Sequence, residues 1–279
     1  MVRTLEFTKM HGLGNDFVVI DGLSRPVALS GADARLLAHR RRGVGCDQVL
    51  LAEPPGGTEA QVRYRIFNAD GSEAEHCGNG VRCLVRLLLD RGLVRGEQVS
   101  VETHGRLTTV RPLADGQLVV DMGPPELDPP AIPFEAADRA VSYPLEVDGE
   151  TLEIGAVAMG NPHAVVLVDD LDAAPVARLG PQIEHHPRFP RRVNAGFAQV
   201  LAPDHLRLRV WERGAGETEA CGTGACAAVV AGRLRGLLGP EVGVDLPGGR
   251  LVINWAGDAA PVHMAGPAVS VFRGEIALP

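Results

Sequence analysis

Most apolar residues of this chain fall in short runs bounded by glycine, proline or asparagine, the pattern of strands rather than of long helices. Residues 5–10 and 17–21 read as strands on either side of Gly12-Leu13-Gly14, a hairpin-like opening. Residues 31–42 have helical spacing, with Leu36 and Leu37 on one stripe and Gly43 as the stop. Further strands are expected at 49–52, 62–67, 99–103, 107–111 and 118–122. Between Asn79 and Arg91 lies VRCLVRLLLD, apolar on most faces, which predicts a buried helix ending at Gly92. The five prolines of residues 123–134 read as a linker. The order then recurs: strands at 145–147, 155–159 and 164–168, a helix near 175–180, and strands at 196–201 and 206–211. A small-residue helix, ACAAVVAGRLRG, follows Gly224, with strands at 242–245, 250–255 and 262–265 and a last stretch, 268–276, that returns to the first half.

That recurrence extends to sequence. Residues 63–80 set over 207–224 give RYRIFNADGSEAEHCGNG over RLRVWERGAGETEACGTG, with identities at Arg63/Arg207, Arg65/Arg209, Glu73/Glu217, Glu75/Glu219, Cys77/Cys221, Gly78/Gly222 and Gly80/Gly224. Looser echoes pair Gly14-Asn15 with Gly160-Asn161, and Gln48-Val49-Leu50 with Gln199-Val200-Leu201. The spacing is far longer than a solenoid repeat of roughly 20–50 residues. It predicts an α/β fold of the α+β type: two pseudo-symmetric domains from an internal duplication, each a curved mixed or antiparallel sheet wrapped around a central helix. The first domain is expected over 1–122, joined by the returning strand 266–279, and the second over 123–265, with the active site in the cleft between them.

Composition narrows the function. A net charge of −8 and 4% aromatic residues argue against nucleic-acid binding. No apolar run nears the ~20 residues that cross a bilayer, and residues 1–14 lack the apolar core of a secretory signal, so a cytoplasmic enzyme without membrane contact is expected. Five cysteines without a CxxC pair indicate neither a disulfide scaffold nor a zinc ribbon. Adjacent His185 and His186 lack the spacing of a metal-binding helix face, so no metal is expected. Lys9 is the only lysine; pyridoxal chemistry needs a Schiff-base lysine, and amino-acid chemistry here is expected to run without a cofactor.

Cys46, Cys83 and Cys226 read as small buried hydrophobes. Cys77 and Cys221 differ, because each precedes a glycine turn and a helix. A helix start carries free N–H groups and about +0.5 of a charge, which lowers a thiol's pKa from about 8.5 and makes it a usable base. The same amides bind a carboxylate. Two such ends gripping one α-carboxylate would put a sulfur on each face of the α-carbon, one to take a proton and the other to return one. Redox or buried structural cysteines are the other readings. Around the turns, Asn15, Gln48, Asn68, Asn79, Asn161 and Asn194 offer donors and acceptors for an amino acid. Arg213 is suited to clamp a carboxylate and Glu212 to pair with an ammonium, a surface salt bridge being the other reading of the two. His163 reads either as tuning a neighbouring thiol or, taken alone, as a structural histidine.

Taken together these motifs resemble the diaminopimelate epimerases. The resemblance runs from Lys9-Met10-His11-Gly12-Leu13-Gly14-Asn15-Asp16-Phe17 through Gly45-Cys46-Asp47-Gln48, Phe67-Asn68-Ala69-Asp70-Gly71, Cys77-Gly78-Asn79-Gly80, Gly160-Asn161-Pro162-His163, Arg192-Val193-Asn194, Trp211-Glu212-Arg213-Gly214 and Cys221-Gly222-Thr223-Gly224 to Gly266-Pro267-Ala268. It implies cofactor-free interconversion of LL- and meso-diaminopimelate, a route to lysine and peptidoglycan. Cys77 and Cys221 would be the acid–base thiols, with His163 and Glu212 also catalytic. Asn15, Gln48, Asn68, Gly78, Asn79, Asn161, Asn194, Glu212, Arg213, Gly222 and Thr223 would bind the amino-acid substrate, Arg213 at the distal carboxylate. A homodimer is a family-level expectation. Departures fall at His76 and at Thr103-His104-Gly105. The competing readings are a proline or hydroxyproline racemase of the same fold and, from another class, a thiol-redox protein using Cys77 and Cys221.

Overall fold

The structure is a computed structural model that describes residues 3–74, 77–104, 106–257 and 259–279; His76 and Gly105, where the sequence departs from the family pattern, lie outside the described residues. The chain is mixed α/β, mostly strands, with four helices among the described residues. It divides into two compact units. The first runs up to Asp121 and takes in Ala265–Pro279, and the second is Met122–Met264.

The first unit contains β1 (Arg3–Gly12), β2 (Asn15–Asp21), α1 (Gly31–Ala38), β3 (Gln48–Glu53), β4 (Val62–Asn68), β5 (Glu73–Ala74), α2 (Gly78–Asp90), β6 (Val99–Thr103), β7 (Arg106–Pro112) and β8 (Leu118–Asp121). β1 pairs antiparallel with β2, β2 parallel with β3, β3 antiparallel with β4, β4 parallel with β6, and β6, β7 and β8 continue antiparallel. α2 packs on β1, β2, β3, β7 and β8, and burial of Val81, Cys83, Leu84, Val85, Leu87 and Leu88 follows from its nearly all-round apolar sequence. α1 lies against β3 and β4, its Leu37 packed among Val18, Leu51 and Phe67. Its start is a capping box in which Ser30 Oγ accepts from the Asp33 amide (3.2 Å) and Asp33 accepts from the Ser30 amide (2.9 Å).

The second unit contains β9 (Tyr143–Val147), β10 (Glu150–Ala158), β11 (Pro162–Leu167), α3 (Val176–Glu184), β12 (Asn194–Ala202), β13 (His205–Glu212), β14 (Gly216–Thr218), α4 (Gly222–Leu234), β15 (Glu241–Leu246), β16 (Gly249–Trp255) and β17 (Val262–Gly266), the last crossing the unit boundary. The pairings recur in kind: β10 antiparallel with β11, β11 parallel with β12, β12 antiparallel with β13, β13 parallel with β15, and β15 antiparallel with β16. α4 packs on β10, β11, β12, β13 and β16, and α3 on β12, β13 and β14. β18 (Val269–Leu278) belongs to the first unit, antiparallel to β1.

Several elements differ from their sequence expectation. α1 stops at Ala38 because His39 turns to extended geometry (φ −69°, ψ 112°). Gly43 then lies so close to Leu36 that a Cβ would sit 1.8 Å from the Leu36 carbonyl. Residues 123–134 are no free linker. Glu126 and Ala158 exchange backbone hydrogen bonds of 2.9 Å, and Leu127, Ile132 and Phe134 are buried in the second unit, with Phe134 stacked on Phe189 at 4.6 Å. Prolines suit that course because they need no ladder N–H. α3 runs on through Pro181 to Glu184, four residues beyond the helix expected near 175–180.

The repeated charges are cross-strand pairs. Arg65 on β4 donates through Nε to Glu73 on β5 (2.9 Å), and Arg209 on β13 donates through Nε and Nη2 to Glu217 on β14 (2.6 and 3.0 Å). Each ties a short strand to its longer neighbour just before a thiol, a positioning role larger than the ~0–1 kcal/mol such exposed pairs contribute to stability.

α4 sits close to β10 because its face is alanine. A Cβ on Gly155 would lie 2.7 Å from Ala231 Cβ, an atom fixed to the backbone that no rotamer can move. Gly155→Ala is therefore expected to destabilise the protein by about 1–3 kcal/mol, read as a lower urea midpoint at unchanged slope. A wild-type midpoint would contradict this account of the packing.

Candidate active site

Parallel pairing of β2 with β3 puts their first residues at the same end of the first unit, and antiparallel β4 ends there. Gln48 opens β3 and faces Asn68, the last residue of β4, donating to its Oδ1 at 2.9 Å. Asn68 in turn donates to Ser72 Oγ at 3.1 Å. Asn15 opens β2, and Cys77 is the N-cap of α2, its Sγ accepting from the Gly80 amide at 3.4 Å. Asn15 Oδ1 accepts from the Cys77 thiol (3.8 Å) and from Asn79 Nδ2 (3.5 Å), while Asn15 Nδ2 donates to Asp47 (2.9 Å). Behind them the buried Arg82 guanidinium donates to Asn79 Oδ1 at 2.8 Å. Asn15, Gln48, Asn68, Cys77, Gly78 and Asn79 thus share one end of the unit.

Anchoring this end is a charge cluster that sequence reading did not find. Lys9 and Arg40 both bind Asp16, and Arg40 also binds Asp47 at 2.8 Å. Burial raises the Asp16 pKa, but Arg40 and Lys9 outweigh it and bring it down to about 2. The Arg40-Arg41-Arg42 run therefore lies past the helix rather than in its end, and its first member holds the loop beside Gln48.

The second unit presents the corresponding end. The parallel register sets His163 of β11 against Asn194, the first residue of β12. By position Asn194 therefore answers Gln48, displacing the Gln199 echo. Glu212 ends β13, and Cys221 is the N-cap of α4. Asn194 is buried. It donates to the Pro162 carbonyl (3.1 Å) and accepts from the Arg213 amide (2.8 Å), so its side chain also fixes backbone. His163 is buried, with Nε2 3.1 Å from Asn161 Oδ1; among the described residues its Nδ1 is a buried nitrogen with no hydrogen-bond partner. Burial and the nearby Arg213 guanidinium push its pKa down to about 3. The imidazole is neutral near pH 7, and with Nε2 donating to Asn161 the lone pair is on Nδ1.

Cys221 departs from the expectation of a lowered pKa. It is buried, and burial together with the Glu212 carboxylate raises its pKa well above the ordinary thiol value; the Thr223 hydroxyl (3.6 Å) and the Gly224 amide oppose this only in part. The partial charge of a helix start is outweighed by desolvation and a full negative charge. Glu212 is itself held by the Thr218 hydroxyl at 2.5 Å. Cys46 and Cys83 are buried, with pKa values pushed up to about 12 by burial, consistent with inert packing residues. No helix among the described residues is long and apolar enough to cross a membrane, and these residues hold no group of His, Cys, Asp and Glu arranged for a metal.

The architecture matches a class of solved structures. A Bacillus anthracis phenazine biosynthesis protein of the PhzF family superposes with a TM-score of 0.73 over 98% of this chain and 99% of its own, at 18% identity. A hydroxyproline epimerase from Agrobacterium vitis superposes with a TM-score of 0.71 over 99% and 93%, at 19% identity. These likenesses define the fold. Sequence defines the family more narrowly: the diaminopimelate epimerase family model matches residues 7–127 and 155–271. Diaminopimelate epimerases of Thioalkalivibrio sulfidiphilus and Alkalilimnicola ehrlichii are 64% and 63% identical, each over 98% of this chain and 99% of the relative. That of Stutzerimonas stutzeri is 56% identical over the same shares. The chain belongs to the diaminopimelate epimerase family.

The Glu212 carboxylate beside Cys221 makes a titration prediction. A neighbouring negative charge disfavours the thiolate, so Glu212→Gln is expected to shift the pH curve for alkylation of Cys221 to lower pH and to speed alkylation several-fold at pH 8. Peptide mass spectrometry after timed iodoacetamide treatment reads both. An unchanged curve would mean that Glu212 does not control this thiol.

Proposed function

We propose that the chain epimerises diaminopimelate, interconverting the LL and meso forms without a cofactor. The reading is carried by one feature: each unit starts a buried helix on a cysteine followed by Gly-x-Gly, with the site side chains gathered at that helix start. In this reading the two units derive from one duplicated ancestor, each a curved sheet around its central helix, and the two thiols work on opposite faces of one α-carbon.

The amides of Gly78 and Asn79 and of Gly222 and Thr223 hold the α-carboxylate. They stabilise it most as proton removal builds negative charge onto it. Cys221 rests as the thiol, because burial and Glu212 disfavour its anion. Cys77, in its thiolate form, takes the α-proton as Cys221 delivers its own to the other face. That step leaves Cys77 as the thiol and Cys221 as the thiolate, the form that runs the reverse direction, in which Cys221 takes the proton and Cys77 returns its own. Glu212 beside Cys221 biases which sulfur holds the proton. His163, buried and neutral, offers Nδ1 as a hydrogen-bond acceptor. Asn15, Gln48, Asn68, Asn161 and Asn194 orient the ammonium and carboxylate groups, and Arg213 binds the distal carboxylate, so that the second stereocentre is checked before the first is inverted. The lysine and peptidoglycan routes, a cytoplasmic setting and a homodimer belong to the same proposal.

Incubation with LL-diaminopimelate, followed by chiral chromatography, is expected to yield the meso isomer. Cys77→Ala and Cys221→Ala are each expected to lower the rate by at least ~10³-fold, within the ~10²–10⁴ typical of one acid–base group. Circular dichroism should remain that of the wild type. Substantial turnover in either folded variant would rule out the two-base scheme.

A further inference from the structure

Arg213 has to present its guanidinium from a turn whose own residues Arg213, Gly214 and Ala215 are exposed. What holds that turn is a carboxylate from another element. Glu184, the last residue of α3, is 3% exposed. Its Oε2 accepts from Trp211 Nε1 at 2.8 Å and its Oε1 from the Gly214 amide at 2.9 Å, so the carboxylate spans the two residues that bracket Glu212 and Arg213. The Arg213 amide between them is taken by Asn194.

The same residue anchors the opposite wall. The Glu184 carbonyl accepts from the Val193 amide at 3.2 Å, and Arg192, in the left-handed region at φ +59°, brings its guanidinium to 3.7 Å from Glu184 Oε1. The loop so folded turns the Arg191 carbonyl toward Arg213, which donates to it through Nη1 at 2.9 Å. The Glu184 main-chain carbonyl and the Arg192 ion pair therefore hold the loop that receives the guanidinium, while the Glu184 carboxylate fixes the backbone that carries the arginine. Its ionised form is the supported one: burial raises the pKa, but Trp211, the Gly214 amide, His185 and Arg192 outweigh it and leave it below the usual carboxylate value.

We infer that Glu184 is a positioning residue for substrate recognition: it staples the Trp211–Gly214 turn so that Arg213 meets the distal carboxylate. This rests on the functional reading above, and it assigns Glu184 to binding of the far end rather than to proton transfer. Glutamine at this position keeps one acceptor and turns an N–H₂ toward the other N–H, so it cannot close both bonds.

The test is steady-state kinetics with LL-diaminopimelate on the full chain and on Glu184→Gln, Trp211→Phe and Ile183→Val. Glu184→Gln is expected to raise KM about ten-fold with kcat within about three-fold, the pattern of lost binding that is equal in ground and transition states. Trp211→Phe, which leaves the Gly214 bond, is expected to raise KM less. Ile183→Val trims one methyl group from the core beneath α3 and leaves both Glu184 hydrogen bonds in place; it is expected to keep KM within about two-fold. An unchanged KM in folded Glu184→Gln, a fall in kcat at constant KM, or an equal KM rise in Ile183→Val would each overturn the inference. A wild-type protein unable to turn over the substrate would instead sink the functional reading on which it rests.

Discussion

The first N–H groups of a helix have no partner inside that helix, and in this chain two buried helices start with a cysteine in the capping position. Sulfur is a weak substitute for the oxygen of serine or aspartate. Cys77 accepts one amide at 3.4 Å, and the Cys221 sulfur meets the Gly224 amide without forming a well-aligned capping bond. A better cap would stabilise either helix by ~1 kcal/mol and would occupy the donors that an anionic substrate needs. Glycines on both sides of the second helical residue keep those donors unshielded. Much of the rest of each unit can be read as support for that one under-capped turn.

The supports are different in kind in the two units. In the first, a relay of amides from Arg82 through Asn79 and Asn15 to Asp47 fixes which atoms face Cys77, and the Lys9–Asp16–Arg40 cluster anchors its far end. In the second, carboxylates do the work, with Glu212 beside the thiol and Glu184 behind the turn. Similar strand pairings thus carry dissimilar electrostatics. A pair of acid–base groups that must rest in opposite protonation states requires such a difference, and Asn68 against Glu212 is its simplest expression.

The two cysteine turns and the asparagines gathered near them were legible in the sequence because each is a short-range pattern, a glycine turn beside an apolar run. The repeat showed the arginines and glutamates as matching positions, and the structure adds that short strands pair them. What escaped was set by distant residues. The equivalence of Gln48 with Asn194 comes from parallel register, while local similarity favoured Gln199. The proline-rich segment after Gly123 looked like a linker because nothing local reveals that Phe134 stacks on Phe189. Glu184 lay beyond the helix expected near 175–180, and its role depends on Trp211 and Gly214, distant in sequence, converging on it. The high pKa of Cys221 needed both its burial and the position of Glu212, and neither is encoded near the thiol.

The central claim is that two opposed thiols, one holding a proton and one lacking it, invert a single carbon. The most direct measurement is the early distribution of deuterium when LL-diaminopimelate is turned over in deuterated water, with substrate and product separated and weighed by mass spectrometry. Two bases predict deuterium at the inverted centre of the meso product while the remaining LL substrate stays undeuterated at first. Deuterium entering substrate and product at equal initial rates would mean that one group serves both faces, and would contradict the account.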